Sequence, residues 1–309
     1  MVLKHNDTDL FILPGVPAEM KSMYHEYVSK KFIDPFFKKK IKFSLIGKEM
    51  TKKSYFISIF PEIFETALRI GITKKALINK IVDFETINPI SFLKDKERLD
   101  DVPFGGGPGM LMKVNPLVDA IDFCKEKAEK KTKVIYVSPQ GKLFDQSLSK
   151  ELANEKDLIF LCGRYEGIDN RVLDSRIDLE ISLGNFILSG GELAALAIHD
   201  SICRHYEGFL GDQKSLVEET FVNNLLEYPQ FTKPRQSDHG NVPEVLLSGD
   251  HKKISNWRKK QALGKTFLNR RDLLERSKLK SEDIEILEEF LSELGYDSDR
   301  IIDLLNEIR

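Results

Sequence analysis

Cysteine is scarce in this 309-residue chain, which carries only Cys124, Cys162 and Cys203, set far apart in apolar or helical stretches. That spacing fits neither a disulfide framework nor a zinc site, so no covalent or metal staple is expected to hold the fold. Charge of one sign is lacking too. A formal net charge of -2 gives no global pull toward nucleic acid, and any affinity for a polyanion has to come from local basic patches. No apolar run reaches membrane-spanning length and no signal-peptide pattern opens the chain, so the expectation is a cytoplasmic protein with no membrane partner. A phosphate-loop ending is also missing. Pro103-Phe104-Gly105-Gly106-Gly107-Pro108-Gly109 has no Lys-Ser/Thr after it, and Gly264-Lys265-Thr266 has Lys259 where the required glycine would stand. Both argue against nucleoside triphosphate binding.

What remains is an ordinary soluble composition, 41% hydrophobic and 31% charged, on a chain long enough for two domains with their own cores. Residues 1–49 read as an extension. Asp9-Leu10-Phe11-Ile12-Leu13-Pro14-Gly15-Val16-Pro17-Ala18-Glu19-Met20 suggests a strand, a turn and a helix start, followed by a basic run at Lys38, Lys39, Lys40 and Lys42. This segment resembles a fragment of the molybdopterin-binding-type domain of competence-damage-inducible proteins, but one strand and one helix cannot complete a sheet and core. From Tyr55 strands and helices alternate. Phe56 to Phe60 reads as a strand, Pro61 opens a helix through Leu68, and Lys80 to Glu85 forms a second strand, a pattern that predicts a parallel α/β sheet covered on both faces. A helix from Asn115-Pro116 presents Leu117, Ala120, Ile121 and Cys124 to a core, and Val134 to Val137 is a buried strand ending at Ser138-Pro139-Gln140-Gly141.

Two glycine-broken strand ends stand out. Leu158-Ile159-Phe160-Leu161-Cys162 stops at Gly163-Arg164-Tyr165-Glu166-Gly167, and Ile181-Ser182-Leu183-Gly184-Asn185-Phe186-Ile187-Leu188-Ser189 stops at Gly190-Gly191-Glu192, before an apolar helix that runs to Tyr206. Such turns expose backbone groups at the carboxyl end of a sheet, where open α/β sheets bind ligands. Beyond a linker at 211–219, residues 220–309 read as helical. Trp257-Arg258-Lys259-Lys260-Gln261-Ala262-Leu263-Gly264-Lys265-Thr266-Phe267-Leu268-Asn269-Arg270-Arg271 is basic and contains aromatics, as phosphate-backbone contact requires. The last stretch, with Ser281 as helix cap and Asp299 capping a shorter helix, reads as an acidic amphipathic hairpin packed on that domain.

Taken in order, the glycine-rich loop, Ser138-Pro139-Gln140-Gly141, the Gly163 turn and the Ser189-Gly190-Gly191-Glu192 turn closely resemble the bacterial tRNA (guanine-37-N1)-methyltransferase family, the knotted SPOUT type. Ordinary connection rules predict an unknotted doubly wound sheet; the resemblance instead implies a deep trefoil knot in residues 50–210 and a helical tRNA-binding domain in residues 220–309. It also implies S-adenosyl-methionine as donor, a homodimer whose sites are completed by the partner, and tRNA as substrate, and it leaves a role for Mg2+ open. The donor pocket it implies comprises Ser138, Pro139, Gln140, Gly163, Tyr165, Glu166, Leu183, Gly184, Asn185, Phe186, Ile187, Leu188, Gly190 and Gly191, with the glycine-rich loop beside it. Asn185 and Phe186 stand where the family usually has Asp and Tyr. No protein metal site is expected.

Guanine N1 carries a proton, so its methylation needs a base for that proton and a cation for charge growing on O6. The resemblance places the cation at Arg204. The base falls in Val217-Glu218-Glu219-Thr220-Phe221, where Glu219 replaces the family's aspartate with an arm longer by one methylene. Two rivals stand beside this reading: a related knotted methyltransferase with another RNA target, and a non-catalytic RNA-binding or scaffold protein in which Glu219 is a solvated linker carboxylate.

Overall fold

The computed structural model describes residues 2–5, 8–11, 51–211, 219–277 and 279–306. The chain divides into two compact units, Met1–Glu49 and Met50–Arg309. In the first, β1 (Val2–His5) and β2 (Thr8–Phe11) form an antiparallel hairpin with Val2 opposite Phe11. The expected strand at Asp9–Phe11 is therefore half of a hairpin. The helix start at Pro17 and the lysine run lie outside the described residues, as do most of the linker and Glu218.

The second unit is built on a five-stranded sheet in the order β4–β3–β8–β7–β9, parallel throughout. Its strands are β3 (Lys52–Ile57), β4 (Val82–Ile87), β7 (Lys133–Leu143), β8 (Asp157–Cys162) and β9 (Leu179–Ser182); β5 (Asp100–Asp101) pairs with β6 (Leu111–Met112) outside it. β8 is buried at every residue, which explains its unbroken apolar run: a parallel strand covered on both faces has no polar side to alternate with. Phe56, Ile135, Val137, Leu158, Phe160 and Ile181 enter one core with Ala195, Ile198 and Ile202, whereas Tyr55, Ile57, Val134, Ile159 and Leu161 enter the other with Leu117, Ala120 and Ile121. Successive strand residues thus go to opposite cores, as the period of two requires.

The helices of this half are α1 (Pro61–Ala67), α2 (Gly71–Ile78), α3 (Val114–Lys127), α4 (Gln146–Leu152), α5 (Asn170–Arg176) and α6 (Glu192–Cys203). Pro61 occupies the first position of α1, where its missing N–H is no loss. Asp145 caps α4 by accepting from Leu148 N at 2.8 Å. α6 ends at Cys203, three residues before the expected Tyr206, and continues as a turn held by Tyr206 N donating to Cys203 O.

β7 departs from expectation in an instructive way. It does not end at Ser138; Val137 and Lys142 both pair with Ile181 of β9, so Ser138–Gly141 bulge out of a ladder that then resumes. Gly141 is required there, because a Cβ would run into the backbone of Glu180 and Ile181.

His199 on α6 is buried against the edges of Phe56 and Phe160, with Cys203 Sγ 3.4 Å from its Nε2. Burial depresses its pKa from 6.5 to about 4. Between those values the unfolded chain binds a proton that the native protein refuses, so stability is expected to fall on acidification from pH 6.5 to 4. The loss is roughly 3 kcal/mol at 1.36 kcal/mol per unit. Urea midpoints followed across this range should drop in the wild type and flatten in His199→Leu; an equal drop in both would assign the effect elsewhere.

The C-terminal region was expected to be helical from Phe221, yet residues 225–243 are irregular, with only a two-residue hairpin of β10 (Gln236–Ser237) and β11 (Gly240–Asn241). Pro229, Pro234 and Pro243 account for this, since each removes a backbone donor and clashes with a preceding helical turn. Helices then follow as α7 (Glu244–Leu247), α8 (His251–Asn269), α9 (Arg271–Arg276), α10 (Ser281–Glu293) and α11 (Ser298–Asn306). Leu263 and Phe267 of α8 share a core with Leu287, Phe290 and Leu291 of α10 and Ile301, Leu304 and Leu305 of α11. Gly264 lets the Phe290 ring seat directly on α8, where any Cβ would collide with it. The tail does pack on the domain, but its caps are one or two residues from those expected. Asp283 accepts from Lys280 N at 2.8 Å, with Ser281 already helical, and Asp297 rather than Asp299 accepts from Arg300 N at 2.8 Å.

Candidate active site

The bulge of β7, the turn after β8 and the loop between β9 and α6 surround one cavity of about 400 Å³. Of the expected pocket residues, Ser138, Pro139, Gln140, Gly163, Tyr165, Glu166, Leu183, Gly184, Phe186, Ile187, Leu188, Gly190 and Gly191 line it, and Asn185 does not. The two glycine turns meet directly. Gly191 N donates to Gly163 O at 3.0 Å, and a Cβ on Gly191 would stand 3.0 Å from Cys162 Cα. Tyr165 holds a left-handed backbone at φ 61° within the turn, a conformation costly for an aromatic residue. A Cβ on Gly163 would stand 2.8 Å from the hydroxyl of Tyr136, whose pKa burial pushes up to about 12, so Tyr136 presents a neutral phenol to the cavity.

Behind this wall lies a polar tie that the sequence did not reveal. The carboxylate of Glu192, 1% exposed, accepts from Ser58 Oγ at 2.7 Å and from Arg164 Nε at 3.1 Å, and Arg164 Nη2 lies 2.9 Å from its second oxygen. Arg164 also donates from Nη1 to Ser189 O at 3.1 Å and covers the Phe60 ring at 4.5 Å. A charge buried this deeply is tolerated only with such partners. It fastens the ends of β3 and β8 to the start of α6. Arg164 belongs to the Gly163–Gly167 turn that the sequence marks out; Ser58, 134 residues from Glu192, carried no signal in the sequence.

The glycine-rich loop joins the same turn. Glu166 N donates to Met110 O at 3.0 Å and Met112 N to Gly167 O at 3.0 Å, while Gly109, at φ 80°, leaves room for the Glu166 side chain. Phe104 at the loop's tip is fully exposed. The cavity as a whole combines apolar walls (Val137, Leu183, Ile187 and Leu188), backbone groups of three loops, the carboxylates of Glu166 and Glu180, and Arg164, whose charge Glu192 already balances. These suit a ligand of small-molecule size with a flat apolar part and a positive charge. Among the described residues no group of His, Cys, Asp and Glu could hold a metal ion.

Arg204 and Glu219 are in contact: Arg204 Nη2 donates to Glu219 Oε1, and the ion pair is half-buried. Neither lines the first cavity. Arg204 follows the 12-residue α6, so it stands about 18 Å along that helix from the glycine turn, at 1.5 Å per residue. Glu219 instead lines a second cavity, of about 620 Å³, with Tyr228, His251 and Arg258.

The sequence model of the family described as tRNA (Guanine-1)-methyltransferase TrmD matches residues 52–276. The chain belongs to this family. Among its relatives are proteins named tRNA (guanine-N(1)-)-methyltransferase from Vibrio atlanticus (strain LGP32) and Aliivibrio fischeri (strain MJ11). Each is 48% identical over 238 residues, which is 77% of this chain and 97% and 96% of those proteins respectively. The TrmD match takes in every residue of the cavity and the Arg204–Glu219 pair, and it stops before α10.

Proposed function

We propose that this TrmD-family protein transfers a methyl group from S-adenosyl-methionine to N1 of guanosine 37 in tRNA, acting as a cytoplasmic homodimer with the family's knotted sheet. The observation that carries the reading is the contact between Arg204 and Glu219. Guanine displays O6, an acceptor, beside N1–H, a donor, and a guanidinium next to a carboxylate is the complement of that edge. Adenine presents the reverse pattern and would leave both groups facing like partners, which buried sites reject strongly.

The first cavity is the donor site in this reading. Leu183, Ile187 and Leu188 would pack the purine, the backbone of the bulge and the two turns would bond its edges, and Glu166 or Glu180 would face the positive charge. When bound, the donor supplies an electrophilic methyl on its sulfonium sulfur. Glu219 takes the N1 proton as the new N–C bond forms and the methyl–sulfur bond breaks, its electron pair leaving with a neutral thioether, and Arg204 stabilises the charge that gathers on O6. No covalent enzyme intermediate is required. Tyr136 and the Arg164–Glu192–Ser58 tie hold the walls of the site and move no proton. No step is assigned to Mg2+. Because the catalytic pair and the donor cavity lie at opposite ends of α6, each working site takes its donor loops from one protomer and Arg204 and Glu219 from the partner.

Incubation with an unmodified tRNA transcript and donor labelled in its methyl group should give one label per tRNA, located at N1 of guanosine 37. Label at another nucleotide would support the related-methyltransferase reading, and no transfer despite tRNA binding would support the non-catalytic one.

A further inference from the structure

The basic segment expected to meet RNA is largely occupied. Lys259 pairs with Asp283 at 2.6 Å, Lys260 with Glu289 at 2.8 Å and Glu293 at 2.7 Å, and Arg270 with Asp272 at 2.7 Å. Those lysines fasten α8 to the acidic tail, and releasing them to a phosphate would cost the tail its anchors.

Another surface offers open cations. The irregular stretch before α7 folds over the N-terminal half of α8 and leaves a cavity of about 540 Å³ lined by Phe231, Lys233, Arg235 and Arg258 among mostly apolar residues, with no carboxylate among the described residues of its wall. Lys233 and Arg235 are exposed and make no ion pair among the described residues. Phe231, 47% exposed, rests a tilted ring 6.3 Å from Trp257. Tyr228, Ile254 and Arg258 line both this cavity and the one containing Glu219, so the two are neighbours sharing a wall.

We infer that this cavity of about 540 Å³ is the RNA-backbone site of the C-terminal domain: a strand whose target base reaches Glu219 continues past Tyr228 and Arg258, sets its phosphates on Lys233 and Arg235, and stacks a base on Phe231. Two exposed cations, Lys233 and Arg235, beside an exposed aromatic ring, with no carboxylate among the described lining residues, are what single-stranded RNA requires. This rests on the tRNA reading above and adds to it the place where the strand is held.

The test is binding of an unmodified tRNA transcript across a salt series, with donor affinity and melting temperature as controls for folding. Lys233→Gln/Arg235→Gln should weaken binding at least tenfold and reduce the salt slope by about 1.5, near 0.7 to 0.9 per phosphate contact, with donor affinity unchanged. Phe231→Ala should weaken binding on the order of tenfold and leave the slope as it was. Lys259→Gln/Lys260→Gln should instead lower the melting temperature while keeping the slope. If the Lys233/Arg235 variant binds with wild-type affinity and slope, or the slope is lost only in the Lys259/Lys260 variant, the site is overturned while tRNA binding stands. A wild-type protein that binds no tRNA overturns both the site and the reading beneath it. Should the double variant fail to fold, Lys233→Gln and Arg235→Gln singly should each reduce the slope by about 0.8, and unchanged slopes in both overturn the site.

Discussion

Glu219→Gln is expected to lower the single-turnover rate of methyl transfer by roughly 10²- to 10⁴-fold, the usual worth of a general base, with donor and tRNA affinities nearly unchanged. The amide keeps a hydrogen bond to Arg204 through its carbonyl oxygen, but it cannot accept the N1 proton. Arg204→Ala should cost on the order of 10²- to 10³-fold by leaving the charge on O6 uncompensated, and because the pair acts as one unit the double variant should be little worse than either single one. Glu219→Asp separates geometry from chemistry. The glutamate carboxylate already meets Arg204, and an arm about 1.5 Å shorter withdraws it from that contact, so the rate should fall even though a carboxylate remains. A rate that rises in Glu219→Asp would mean that the backbone follows the path that suits the family's aspartate. Glu218→Gln is the control: if it alone abolishes turnover while Glu219→Gln is as fast as wild type, the base is Glu218.

Much of the first cavity's lining was legible because its residues are contiguous in short loops. A run such as Leu158–Cys162 is too short for a buried helix and, stopped by Gly163, reads as a fully buried strand; the glycines after it mark where backbone approaches closely, so the cavity could be outlined from one strand end to the next. Where the reading went astray, the deciding partner was remote. Ser138-Pro139-Gln140-Gly141 contains a proline and a glycine and looks like a strand end, but β9 pairs on both sides of it and turns it into a bulge. The Glu192–Arg164–Ser58 tie joins three strand and helix ends that no spacing rule relates. Likewise Lys259 and Lys260 read as free cations until Asp283, Glu289 and Glu293 of α10 pair with them. Charge in a sequence has no partner assigned; the fold assigns it.

Mixing two inactive variants is expected to restore activity, and this follows from the separation along α6. Gly190→Val should disable the proposed donor site, because a side chain there drives into Arg164, which Glu192 and the Ser189 carbonyl hold in place; Glu219→Gln should remove the proposed base. In the proposed homodimer each parent would then have two dead sites. In a heterodimer one site combines intact donor loops from the Glu219→Gln protomer with an intact Glu219 from the Gly190→Val protomer, while the other site carries both lesions. Random assembly makes half the dimers mixed, so co-expression should return about a quarter of wild-type activity from parents each below about 1%. Gly184→Val, whose Cβ would stand 2.8 Å from the Phe186 ring edge, serves as the donor-dead partner if Gly190→Val does not fold. Mass measurement must confirm that mixed dimers form. If they do and the mixture is no more active than its parents, Glu219 serves the donor cavity of its own chain, and α6 would have to bend or the C-terminal domain swing to bring them together.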